Sequence, residues 1–161
     1  MKLPLLLLIV PIFSWANITP NMLYKSIETT GVQRAVNALT QDDWMTINSG
    51  IAAGEKEWLD IVPKLAPVTD AKQAASLEDA LATALTTNTI DTLKTLNTLD
   101  STTYPFMLGS NIVCVPPFDK SKNEITDFYN RTREALLSTD EGSKCLWILE
   151  ASMHEWERSL Q

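Results

Sequence analysis

Between Pro20 and Leu160 the apolar residues fall mostly three and four positions apart, the repeat of an amphipathic helix, and breaker or cap residues interrupt them every 10 to 20 positions. Thr19-Pro20 reads as an N-cap followed by proline in the first turn, leading into Leu23 and Ile27. Gly31 separates this segment from Val32, Ala35, Val36 and Leu39. Thr40 is placed to cap a third helix, with Asp42 and Asp43 in the first turn and a stripe of Trp44, Ile47 and Ile51 that Gly54 ends. A fourth helix carries Trp58, Leu59, Val62 and Leu65, but Pro63 lies within its spacing. Proline costs about 3 kcal/mol in a helix interior, so a kink or a stop near Ile61 is expected.

Ser76-Leu77-Glu78-Asp79 resembles a capping box with Asp in place of Glu, ahead of Leu77, Leu81, Ala84 and Leu85. Asn88-Thr89 restarts the chain into Ile90, Leu93, Leu96 and Leu99. Nine threonines between Thr83 and Thr103 are poor helix formers, so packing must hold this pair. Residues 100–117 break the pattern. They hold Gly109, three prolines and a series of apolar side chains with no helical period, and Asn111 to Val115 reads as a short extended piece. Ser121 and Glu124 then form a regular capping box before a long helix through Ile125, Phe128, Leu136 and Leu137. The last helix carries Cys145, Ile148, Leu149, Ser152, Met153, Trp156 and Leu160. The expected fold is all-α: about eight short helices in antiparallel hairpins, forming a compact bundle or short solenoid, with one irregular loop around 100–117.

The first sixteen residues stand apart. Lys2, an apolar stretch from Leu3 to Phe13 and Ser14-Trp15-Ala16 have the form of a secretory signal peptide cleaved after Ala16. The stretch is shorter than the roughly 20 residues that span a bilayer. The expected organisation is therefore a signal peptide over 1–16, a single helical domain over 17–161, no membrane span and an exported, periplasmic product.

Charge narrows the partners. The chain has 13 basic and 20 acidic side chains, a net charge of −7, which argues against nucleic acid and favours a basic protein partner. Its two cysteines, Cys114 and Cys145, allow one intramolecular pairing, and an oxidising compartment favours that bridge. The single histidine, His154, stands in His154-Glu155-Trp156 without the second histidine a zinc site of the HExxH type needs. No GxSxG, Gly-rich phosphate loop or EF-hand spacing occurs. The expectation is no enzyme, no catalytic residue, no metal and no cofactor.

Residues 47–96 read INSGIAAGEKEWLDIVPKLAPVTDAKQAASLEDALATALTTNTIDTLKTL. With Trp58-Leu59, Asp70-Ala71, the Ala80 to Leu85 run and Asn88, behind a signal peptide and ahead of a late cysteine, the chain resembles small helical periplasmic proteins of Gram-negative bacteria. These are of the kind of the immunity proteins against type VI secretion amidases. That resemblance implies a stoichiometric inhibitor that plugs the cleft of a secreted cell-wall hydrolase, often as a homodimer. The alternative is a periplasmic adaptor or assembly factor that holds a protein partner in grooves between helical hairpins. The candidate partner-binding residues are Tyr104, Phe106, Met107 and Leu108. Either they lie in the core as an irregular plug, or they project as anchors from a loop tethered at Cys114.

Overall fold

Capping chemistry sets where most of the helices begin. In the computed structural model, which describes residues 17–161, Thr19 accepts a hydrogen bond from the Met22 amide and opens α1 (Pro20–Thr30). The leader expected over residues 1–16 lies outside the described residues. Gly31, at φ 86°, turns the chain into the short α2 (Val32–Asn37). Thr40 and Asp43 bond reciprocally, each side chain accepting from the other's backbone amide, and start α3 (Gln41–Ala52). Then come α4 (Lys56–Leu65), α5 (Ala71–Thr87) and α6 (Thr89–Asp100). The four-residue α7 (Ser110–Val113) follows a loop, and α8 (Lys122–Leu137), opened by the Ser121–Glu124 box, precedes α9 (Ser143–Ser159). No strand occurs among the described residues.

α5 is the centre. It packs against α3, α6, α7 and α8, while α4 packs on α6 and α1, and α8 pairs with α9. A solenoid unit would touch only its sequence neighbours, so the arrangement is a bundle. Leu77, Leu81, Ala84 and Leu85 on α5 meet Ile47 and Ile51 of α3, and Leu59, Ile61, Val62 and Leu65 of α4 share the same sealed core. No helix among the described residues is long and apolar enough to cross a membrane.

Two local expectations are corrected, and a third is narrowed. α5 begins at Ala71, where Asp70 and Gln73 form the capping box; Ser76 to Asp79 lie inside the helix. The 70–73 pair satisfies the orphan amides before the 76–79 sequence is reached. Instead of capping, Ser76 accepts a hydrogen bond from Asn48 of α3. The piece expected to be extended at 111–115 is mostly α7 and its end. Of the two outcomes expected at Pro63, a kink or a stop near Ile61, the stop does not occur: helix α4 continues through Pro63 to Leu65.

The last of these has a chemical cause. Proline at 63 has no N–H to give the Leu59 carbonyl one turn earlier. The buried Thr95 hydroxyl, projecting from α6, donates to that carbonyl instead, at 3.2 Å. A threonine thus replaces the missing helical bond. The other threonines of this pair mostly bond back to their own helix, as Thr83 does to Asp79, Thr92 to Asn88 and Thr98 to Lys94. Thr95→Val should cost about 1–3 kcal/mol, the loss of a partner for a buried carbonyl. In a Pro63→Ala background the backbone amide regained at that position can serve Leu59, so the same change should cost clearly less. Urea unfolding of the four proteins measures the coupling, and equal costs in both backgrounds would show that Thr95 does not compensate for Pro63.

Candidate partner-binding loop

Between α6 and α7 the chain leaves helical structure, and two acidic side chains hold it in place. Asp100, the last residue of α6, accepts the Ser110 amide on one oxygen at 3.0 Å and the Ser110 hydroxyl on the other at 2.6 Å. Lys144 at the start of α9 donates to that second oxygen at 2.5 Å. Burial alone would raise the Asp100 pKa, but the Lys144 and Ser110 hydrogen bonds outweigh it and hold the carboxyl below its ordinary range. Gly109 precedes α7 at φ 58°, and a Cβ there would overlap an Asp100 carboxylate oxygen, so only glycine fits.

The second acidic group is Glu78, on the inner side of α5 and 7% exposed. One of its oxygens accepts both the Leu108 amide, at 2.5 Å, and the Gly109 amide, at 3.1 Å. Burial raises its pKa, the two amides pull it back in part, and neighbouring Asp79 adds to the rise.

A covalent tie completes the stem. Cys114, directly after α7, is bonded to Cys145 of α9 with their Cα atoms 5.3 Å apart. Both cysteines are buried and neither is free. The expected pairing is therefore present.

The four candidate contact residues do not act as one set. Phe106 and Leu108 are 50% and 58% exposed, whereas Met107 is 4% exposed and belongs to the core. Met107 is thus withdrawn as a contact residue: it is the plug, turned inward between two outward neighbours. Tyr104 is half-buried against the same core. Ile112, on the exposed side of α7, adds apolar surface nearby in the chain.

A cavity of about 380 Å³ beside the stem is lined in part by Leu93, Asn97, Asp100, Ser110 and Lys144. Serine, aspartate and lysine together invite comparison with a nucleophilic site. Their geometry is that of a latch. Ser110 is 3% exposed with its hydroxyl turned to Asp100, and a carboxylate of lowered pKa bound by lysine is a poor base. His154 is exposed on α9, and no group of three or more metal-ligating side chains is found among the described residues.

Glu78 and Asp100 were not singled out by sequence reasoning, although one signal was there. Glu78 lies three and seven residues before Leu81 and Leu85, on the face that the apolar spacing turns inward. An acidic residue on a buried face needs a partner. Comparisons with known protein families, with characterised proteins and with solved structures find no match for this chain.

Proposed function

We propose that the protein is a periplasmic immunity protein, a stoichiometric inhibitor that blocks a secreted cell-wall hydrolase by inserting the Phe106–Leu108 loop into its active-site cleft. The observation that carries this reading is the exposure of Phe106 and Leu108 on a stem tied by two carboxylates and a disulfide. Apolar anchors on a pre-ordered loop bind well because little conformational entropy is left to lose. The net charge of −7 would speed encounter with a basic enzyme. The disulfide and the leader expected over residues 1–16 would both suit the periplasm, and the resemblance in residues 47–96 points to inhibitors of type VI amidases.

The test is inhibition of peptidoglycan cleavage by the product of a neighbouring hydrolase reading frame, and the lack of any such frame would itself count against the reading. Residues 17–161 should abolish cleavage at a one-to-one ratio. Phe106→Ala with Leu108→Ala should raise the inhibition constant about thirtyfold or more while leaving the fold intact, since neither side chain is core. Full inhibition by that variant would end the loop reading.

A second reading, a periplasmic adaptor, is favoured by a groove of about 430 Å³ lined in part by Leu39, Trp44 and Met45 with Gln41, Asn48 and Lys72. There Met45 is 61% exposed. An adaptor would lose its partner on Trp44→Ala with Met45→Ala and keep it when the loop is changed.

A further inference from the structure

Glu78 is a largely buried carboxylate whose hydrogen bonds among the described residues both go to the loop. Its place on α5 lies beside the core residues Leu77 and Leu81 at a position only 7% exposed, where an apolar residue would avoid the cost of desolvating a carboxylate. We infer that Glu78 is a positioning residue, which holds the Leu108–Gly109 peptide from inside the bundle so that Phe106 and Leu108 face outward. This rests on the loop reading of function above.

The geometry explains why the side chains alternate. Two consecutive amides, those of Leu108 and Gly109, are drawn to the same inward oxygen. Leu108 is 58% exposed, yet its N–H ends on a buried carboxylate. With the peptide pinned this way and Met107 sunk into the core, Phe106 and Leu108 have only the solvent side left. Asp100 fixes the next residue, Ser110, through its amide and its hydroxyl. Three successive residues are therefore held by two carboxylates from two helices, and Gly109 supplies the φ that lets both grips coexist.

What Glu78 contributes is an acceptor, not a charge. A single oxygen takes both amides, so a neutral amide oxygen in the same place can do the same. Glu78→Gln should therefore keep the loop, whereas Glu78→Ala should free it. Glu78→Met, which fills similar volume without an acceptor, separates positioning from general packing: it should free the loop as Glu78→Ala does if the acceptor is what matters.

Amide hydrogen exchange, residue by residue, is the test. In the unmodified protein the Leu108 and Gly109 amides should exchange at least about tenfold more slowly than an unstructured chain, despite the exposure of Leu108. Glu78→Ala should remove that protection and leave the Leu81 and Leu85 amides of α5 protected; Glu78→Gln should restore it. Inhibition of the same hydrolase should weaken about tenfold in Glu78→Ala and recover in Glu78→Gln. Free-chain exchange of Leu108 and Gly109 in the unmodified protein would overturn the inference even if Glu78→Ala failed to fold. So would unchanged protection in Glu78→Ala, whereas equal inhibition by all three proteins beside the expected exchange would overturn the loop's role in inhibition instead. The exchange result needs no partner, so it stands separately from the loop's role in inhibition.

Discussion

Replacing Cys114 and Cys145 together by alanine should lower the melting temperature by on the order of 10 °C. The bridge joins positions 31 apart, and closing a loop of that length is worth about 3–4 kcal/mol in the chain-entropy model. Four-residue α7 cannot sustain itself, since a helix that short is far below the length at which isolated helices persist in water. It is held by its contacts with α5, α6 and α9, by the Asp100–Ser110 bonds and by the disulfide. Without the bridge, the loop keeps only noncovalent grips. Thermal unfolding in the presence and absence of a thiol reductant should show the same drop in the unmodified protein and no drop in the double variant. A reductant shift of less than about 2 °C would mean that α7 is anchored without its tether.

The largest single-residue effect is expected at Trp58. Its ring, 3% exposed on α4, lies against the bare Cα of Gly50 in α3. A Cβ at position 50 would overlap ring atoms Cδ1 and Nε1. Trp58→Ala should cost about 3–5 kcal/mol, the loss of a large buried side chain plus the cavity left behind. Gly50→Ala is the sharper probe. Alanine favours a helix interior over glycine by about 1 kcal/mol, yet here it must displace the tryptophan and should destabilise by about 1–3 kcal/mol. In the Trp58→Ala background the clash is gone, so Gly50→Ala should stabilise by up to about 1 kcal/mol. A change of sign between the two backgrounds in urea unfolding is the expected result. The same sign in both would mean that the two helices do not meet at this contact.

Much of the helical layout was legible because its causes are local. Thr40 with Asp43, and Ser121 with Glu124, lie three residues apart, so one stretch of sequence holds both partners of each cap. The apolar stripes of α3, α5 and α9 follow the helical repeat and are buried or half-buried as their spacing requires, apart from the end at Leu160. What the spacing left open or missed has the opposite property. Whether Pro63 ends α4 was decided by Thr95, and whether residues 111–115 extend was decided by Asp100, Gly109 and Lys144. Glu78 reaches the loop amides from 30 and 31 residues away. Spacing within a segment carries no record of such partners. The loop shows this most plainly. Tyr104, Phe106, Met107 and Leu108 look alike as apolar residues in irregular sequence, and only the inward pull on Leu108 and Gly109 sorts the buried Met107 from its exposed neighbours.

The proposal that this loop enters a hydrolase cleft is tested most directly by photo-crosslinking. A benzophenone amino acid at position 106, where the native Phe106 is half exposed, reports which surface the loop tip touches. The same group at position 45, in the groove between α3 and α5, is the control. With a hydrolase that residues 17–161 inhibit, position 106 should give a one-to-one adduct mapped to the walls of the active-site cleft, and position 45 should give none. An adduct from position 45 alone, or one from position 106 that maps away from the cleft of a fully active enzyme, would contradict the inhibitor reading.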